Sequence, residues 1–454
     1  MLTGRKSAGA DAFFADLRRR EFGRLDATGE AYLDYTGSAL YARSQIEAHR
    51  RMLERGVFGN PHAEHRASRA STTVIDAARS QLLRFLDAEP DDYAVCFTAN
   101  ATMAIKLVAE SYAFGPDAGC ILSVDNHNSI NGLREFARRA GGWTEYLPLR
   151  ANLELDDPTA HLTAAARRGG GLFAFPAQSN FSGVRHPLGL VSDAQRLGFD
   201  VLLDAAAYLP GHSLSLRRHP ADFVVLSFYK LFGYPTGVGA LVARRAALAR
   251  LRRPWFSGGT VSYASVQHAS HQLLANESAF EDGTPSFLEI GGLGPGFGLL
   301  DEVRMPRLSI HVRTLTRHLL DGLRALVHRS GVPVAQVYGP ETMDCRGGTV
   351  TFNVFTPTGQ PVPFAAVESH AREARVSVRG GCFCNPGASE MAFGFLVADT
   401  ARCLDAVGSQ FTVERLAACL GPDVAVGAVR ASVGLANNFA DIDRLLNLVA
   451  AYQQ

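Results

Sequence analysis

The sequence predicts an α/β fold: a large domain on a mostly parallel sheet, followed by a smaller α+β domain. Three observations carry this. Apolar, β-branched runs alternate with helical segments from Tyr93 to Val242, as a parallel sheet with crossover helices requires. Residues able to do chemistry fall at the carboxyl ends of those runs, where open α/β sheets take ligands. From about Arg304 the character changes: an amphipathic helix over Arg307–Arg329 leads away, and Val350–Phe355 and Ala374–Val378 read as strands. The expected division is a large domain over 32–303 and a small one from 1–31 and 304–454.

The totals narrow the function. The chain has 454 residues, 47% of them apolar, and a net charge of +1. Such a length supports two domains with a sizeable core. The near-neutral charge points away from nucleic acid and from an anionic membrane surface. No apolar run reaches the ~18 residues of a membrane span, and the start, MLTGRKSAGADAFF, has no signal-peptide core. Seven cysteines, at 96, 120, 345, 382, 384, 403 and 419, are odd in number and scattered. They argue against a disulfide framework and for a reducing, cytoplasmic location.

Taken in order, Asp11–Phe22 reads as a charged amphipathic helix on the outside of the fold. Tyr32–Tyr35 is a short strand, closed by the turn Thr36-Gly37-Ser38. Phe58–Ser68 is a loop entering a helix. Its His62 and His65 could share a helix face, but no third metal ligand stands nearby. Ala94–Thr98 is a strand and Thr102–Ala113 a helix, so the turn between them aims backbone N–H groups at an anion. Cys120–Val124 is a strand running into His127, and Gly171–Pro176 one running into Asn180. Val201–Ala207 and Phe223–Leu226 are two more buried strands, and Phe280–Phe287 is rich in turn residues.

The stretch Ala221–Val242, ADFVVLSFYKLFGYPTGVGALV, holds the chemistry. Lys230 stands between two apolar strands, before a glycine-rich turn over 233–239. Burying an ammonium costs several kcal/mol unless something uses it, and burial makes the amine a nucleophile fit for a Schiff base. The alternative is a lysine snorkelling from a strand end. Upstream, Asp204 ends its own strand, where it could instead cap a helix. A strand-end carboxylate and a strand-end lysine together are what pyridoxal phosphate needs, one for the ring nitrogen and one for the aldehyde.

The motifs YLDYTGSALY, FGNPHAEHRAS, CFTANATMAIKLVAE, PAQSNFSGVRHPL, SFYKLFGYPTGVGALV, FEDGTPSFL, GGCFCNPGA and GAVRASVG run from Tyr32 to Gly434. Their residues and order resemble the class V, fold-type I pyridoxal phosphate enzymes, the family that includes cysteine desulfurases. More closely they resemble the amino-terminal desulfurase domain of molybdenum cofactor sulfurases. The resemblance implies the transferase fold type I of that family. It assigns Lys230 and Asp204 to the cofactor, and His127 to stacking on its ring and relaying protons. It gives the phosphate to Ala101 and Thr102, with Ser227 and Tyr229 in reach. Asn100 and Ala101 depart from the family's usual Gly and Ser or Thr, which leaves more to the backbone. Ala207 stands where typical cysteine desulfurases have Gln; the molybdenum cofactor sulfurases share the small residue. Asn180 is implied at the ring hydroxyl or the substrate carboxylate. Thr284 is implied at a dimer partner's phosphate, which makes the chain a homodimer with shared sites. Arg430 would fork onto the α-carboxylate of a small amino-acid substrate, with Arg379 and Gly37 nearby.

Cys382 and Cys384 form a CxC in a glycine-rich turn. Alone, this could be half of a metal site without its other half, or two inert small side chains. By resemblance Cys384, five residues after Arg379, is the mobile-loop thiol that takes sulfur, and Cys382 is a weaker candidate. The expected function is that of a pyridoxal phosphate-dependent cysteine desulfurase-like enzyme. It would take sulfur from L-cysteine as a persulfide on Cys384 and release L-alanine. The alternative is a lyase, aminotransferase, epimerase or decarboxylase acting on another amino acid in a specialised biosynthetic pathway, with the CxC idle. The chain ends at Gln454, soon after the desulfurase motifs, which leads to the expectation of a separate sulfur-acceptor protein.

Overall fold

The computed structural model describes residues 2–421 and 423–454. Seven strands form one sheet in the order Tyr93–Thr98, Gly239–Arg244, Phe223–Ser227, Phe199–Asp204, Gly171–Pro176, Gly119–Ser123, Thr144–Leu147. Gly239–Arg244 runs antiparallel to both its neighbours; the other pairings are parallel. The central strands are buried along their whole length, because helices cover both faces, and so they read as unbroken apolar runs. Parallel register places Asp204 beside Pro176 on one side and Val225 on the other. The strand ends that carry candidate residues therefore lie along one edge of the sheet.

A second, antiparallel sheet has the order Ala335–Tyr338, Thr349–Val354, Ala428–Ser432, Arg379–Gly381. The helix Met305–Ala325 packs against Ala335–Tyr338 and against the last helix, Phe439–Ala450. Register sets Arg379 directly opposite Arg430.

Several expected elements end elsewhere. The run over 201–207 stops as a strand at Asp204, because the Asp204 carboxylate accepts from Ala206 N (2.9 Å) and turns the chain. The expected helix over 307–329 spans Met305–Ala325; beyond it the backbone extends, and Arg329 N bonds the Gln454 carbonyl. Only Val376–Ser377 of the run over 374–378 is strand, paired with Ala31–Tyr32. The first helix, Leu2–Phe22, is more than an outer covering: Phe14, Leu17 and Phe22 are buried and Arg18 pairs with Asp441 at 2.6 Å.

The cysteine reading needs correction. Cys403 and Cys419 form a disulfide joining the helices Val397–Val407 and Val413–Leu420. The pairing is local, 16 residues apart on consecutive short helices, and an odd total conceals it. Cys96, Cys120, Cys345, Cys382 and Cys384 are free. Among the described residues no helix is long and apolar enough to cross a membrane, and no group of three or more His, Cys, Asp or Glu side chains could hold a metal.

Candidate active site

At the carboxyl edge of the large sheet, a cavity of about 200 Å3 is lined by Asn100, Ala101, Thr102, His127, Asn180, Asp204, Ser227, Tyr229 and Lys230, among others. These residues come from five separate strand ends. Lys230 sits on a short helix, Phe228–Phe232, that follows its strand directly. Phe228, Leu231 and Phe232 are buried, and this anchors the helix and fixes the lysine. Among the described residues the Lys230 amine has no hydrogen bond or ion pair. Burial lowers its pKa; the Asp204 charge opposes this, and Arg430 adds to the lowering.

Asp204 is buried, and its Oδ1 accepts from Ala206 N while Oδ2 has no protein partner among the described residues. Asn100 caps the helix Ala101–Ser111 by accepting from Met103 N (3.0 Å), and Ala101 N donates to Ser227 Oγ (2.9 Å). Thr102 Oγ1 meets Ser129 Oγ at 2.8 Å. Gly239 makes this cradle possible: a Cβ there would lie 2.5 Å from the Asn100 carbonyl carbon. His127 caps the next short helix, its Nδ1 accepting from Ser129 N (3.1 Å), which leaves Nε2 as the nitrogen free to exchange protons. Burial lowers the His127 pKa, Asp204 opposes, and Lys230 and Arg430 lower it further, so the ring is neutral at neutral pH.

The two arginines form a separate cluster. Arg430 is buried; it donates to the Asn180 carbonyl (2.9 Å) and to Asp34 Oδ1 (3.2 Å), and lies over the Phe383 ring at 4.7 Å. Burial pushes its pKa down to about 10. Arg379 is half-exposed and grips Asp34 Oδ2 at 2.6 Å. Gly37 packs on that ion pair.

The cysteine loop is held against the pocket. Asn180 Nδ2 donates to the Phe383 carbonyl (2.7 Å), and Asn128 N to the Cys384 carbonyl (2.8 Å). Asn385 Nδ2 donates to both the Asp125 carbonyl (2.6 Å) and Asn180 Oδ1 (2.9 Å). Phe383 and Cys384 have φ of 57° and 55°, left-handed backbone that costs about 1–2 kcal/mol per residue. The buried Phe383 ring and these bonds hold the loop there. The Cys384 side chain stays exposed, and it is an electrostatic neighbour of Lys230 and Arg430. Cys382 faces the Val426 carbonyl (3.5 Å), and burial raises its pKa.

The structure thus gathers Lys230, Asp204, His127, Asn180, Ala101, Thr102, Ser227 and Tyr229 around one cavity. Arg430, Arg379, Gly37 and Cys384 lie beside it. Thr284 stands apart: it accepts from Asn60 Nδ2 (3.3 Å) and lines a different cavity of about 290 Å3. Sequence reading passed over Asp34 and Asn385. It also missed a buried pair, Asp125 Oδ2 and His186 Nε2 at 2.8 Å, behind the His127 turn. Burial works to raise the Asp125 pKa, but His186 and the Ser123 hydroxyl hold it down. Asn385 alone carried a local signal, an Asn directly before Pro386 at a helix start.

The fold and this pocket define a pyridoxal phosphate enzyme. Residues 31–445 match the Aminotransferase class-V family, and the chain belongs to it. Within that family it is 35% identical to Molybdenum cofactor sulfurase of Arabidopsis thaliana, over 96% of this chain and 57% of that protein. It is 36% identical to Molybdenum cofactor sulfurase of Drosophila mojavensis, over 95% of this chain and 58% of that one. The chain therefore spans somewhat over half the length of these relatives. In fold it is similar to a cysteine desulfurase from Thermococcus onnurineus NA1, with a TM-score of 0.80 at 22% identity, covering 96% of this chain and 97% of that one. It is also similar to the cysteine desulfurase CsdA from Escherichia coli, with a TM-score of 0.75 at 22% identity, covering 97% of this chain and 98% of the other.

Proposed function

We propose that this protein is a cysteine desulfurase that moves sulfur from L-cysteine to Cys384 and releases L-alanine. The observation that carries the reading is the partnerless Lys230 amine in one cavity with Asp204 and His127, with exposed Cys384 tethered beside it. The residues fit pyridoxal phosphate. The free Asp204 oxygen suits the ring nitrogen, Lys230 suits the aldehyde, and the start of the helix Ala101–Ser111 with Ser227 suits the phosphate. When bound, the cofactor supplies an electron sink for bonds at the substrate α-carbon.

The chain's own groups do the rest. Arg430, whose two terminal nitrogens hold the Asn180 carbonyl and Asp34 Oδ1, orients the α-carboxylate through its charge. Neutral His127 or Lys230 takes the α-proton and later returns one. The Cys384 thiolate attacks the substrate sulfur, so that an S–S bond forms as the C–S bond breaks. The electron pair stays with carbon, which is protonated and leaves as alanine, and sulfur remains as a persulfide. The raised pKa of Cys382 favours Cys384 for this step. Purified protein carrying its cofactor, given L-cysteine, is expected to release alanine. No alanine while the cofactor absorbance stays intact would replace this reading with a lyase, aminotransferase, epimerase or decarboxylase on another amino acid.

A homodimer with shared sites belongs to the same proposal. Its support is that exposed Thr284 lies outside its own chain's Lys230 cavity. Sedimentation at the mass of a single chain would refute it. A separate protein that accepts the sulfur completes the reading, with a cytoplasmic location that the free thiols at 96, 120, 345, 382 and 384 support and the Cys403–Cys419 disulfide opposes; sulfur from L-cysteine appearing on a second protein only when Cys384 is present would test the former.

A further inference from the structure

Asp34 lies between two guanidiniums. Its Oδ1 is 3.2 Å from Arg430 and its Oδ2 2.6 Å from Arg379. Arg430 is 2% exposed and Asp34 8% exposed, so water screens the inner pair little. Two guanidiniums against one carboxylate leave a net of one positive charge. Other nearby groups do not cancel it. Tyr32 stays neutral, its pKa pushed up to about 12 by burial and then by Asp34. Glu368 is the smallest of the influences on Arg379, and its carboxylate accepts from Gly380 N (3.0 Å). The geometry is also locked. A Cβ on Gly37 would fall 2.5 Å from Asp34 Oδ2 and 2.6 Å from Arg379 Nη2, so the backbone presses on the ion pair.

We propose that Asp34 is a specificity-determining residue: it occupies Arg379 and thereby restricts the site to amino acids with a single carboxylate. The proposal rests on the reading that Arg430 takes the substrate α-carboxylate. That group meets the one uncompensated positive charge. A substrate with a second, side-chain carboxylate finds the Arg379 fork already filled and the Asp34 charge repelling it. A neutral side chain such as the thiol of L-cysteine meets neither obstacle.

The test uses the protein with its cofactor bound, titrated with L-alanine and with L-aspartate, reading the change in cofactor absorbance as binding. The native protein is expected to prefer L-alanine. In Asp34→Asn the ratio of the two dissociation constants should move toward L-aspartate by about tenfold or more, since Arg379 is released. The double variant Asp34→Asn with Arg379→Gln should lose that gain. A merely structural role for Asp34 would weaken both ligands alike, so an unchanged ratio overturns the proposal. Arg379→Gln alone gives an independent reading should Asp34→Asn fail to fold. With Arg379 gone, Asp34 neutralises Arg430, and L-alanine should bind about tenfold more weakly. Unchanged L-alanine affinity in that variant also overturns the proposal. Native protein that takes up the cofactor but binds neither amino acid would instead sink the reading of Arg430, and the proposal with it.

Discussion

The Lys230 pocket and the Cys384 loop are built in opposite ways. Lys230 and Asp204 follow buried strands, and parallel register fixes their places. Backbone ladders and apolar packing hold them, and among the described residues each keeps an atom without a partner at the cavity. The cysteine loop has no ladder at Phe383 or Cys384. It is placed by side-chain amides, from Asn180 and Asn385, and by one backbone bond from Asn128. Its backbone is left-handed at two consecutive non-glycine residues, yet its thiol is exposed. The difference matches two demands. Breaking bonds at a carbon needs fixed groups shielded from water. Passing sulfur onward needs a thiol that can be reached from outside the pocket.

Each side of this comparison can be broken separately. The largest effect is expected for Lys230→Ala. Alanine release by the cofactor-loaded protein should fall by at least about a thousandfold, while the melting temperature of the cofactor-free protein stays level or rises, because a buried amine without partners is removed. Kinetics on loaded protein and calorimetry on cofactor-free protein check the two; activity within tenfold of native would contradict the pocket's assignment.

Asn385→Ala strikes the other side. It removes two hydrogen bonds to the pocket and the cap of the helix Pro386–Phe393. A loss of about 1–3 kcal/mol is expected, read by urea unfolding, together with faster alkylation of Cys384. The fall in alanine release should be well short of that for Lys230→Ala. A labelling rate equal to native would mean that the amides do not hold the loop.

A third change lies outside both regions and serves as a baseline. His311 stacks on Phe14 at 3.7 Å and donates to the Asn437 carbonyl (3.0 Å). Burial pushes its pKa from 6.5 to about 4, against the opposing effect of that hydrogen bond. A folded-state pKa below the unfolded one means that the neutral ring's contribution is present above pH 6.5 and lost as pH falls through about 4. His311→Phe should flatten the fall in stability across that window by at most about 3 kcal/mol. It should leave Cys384 labelling unchanged. Unfolding curves at several pH values check the first, and an unaltered slope would contradict it.

The same contrast explains what could be read in the sequence. Strand ends are local: an apolar run, then Asp204, or an apolar run, then Lys230, can be seen without knowing the neighbours. The resemblance of whole motifs supplied His127, Arg430 and Cys384. Asp34 escaped because its meaning lies in Arg430, 396 positions away, and Asn385 because it bonds Asn180, 205 positions back. Neither partner is implied by local periodicity. The Cys403–Cys419 pairing was hidden for a different reason: a count of thiols does not show which helices meet. The position of Lys230 on a short helix after its strand depended on Phe228 and Phe232 finding Phe297, a tertiary contact.

The most direct test is a single turnover of the protein with its cofactor bound and L-cysteine, stopped and digested for mass spectrometry. Sulfur transfer to Cys384 predicts alanine in the supernatant and one added sulfur atom on the peptide at Cys384, with Cys382 unmodified; Cys384→Ala should carry none. Alanine formed while Cys384 stays unmodified, or sulfur found on Cys382 instead, would contradict it.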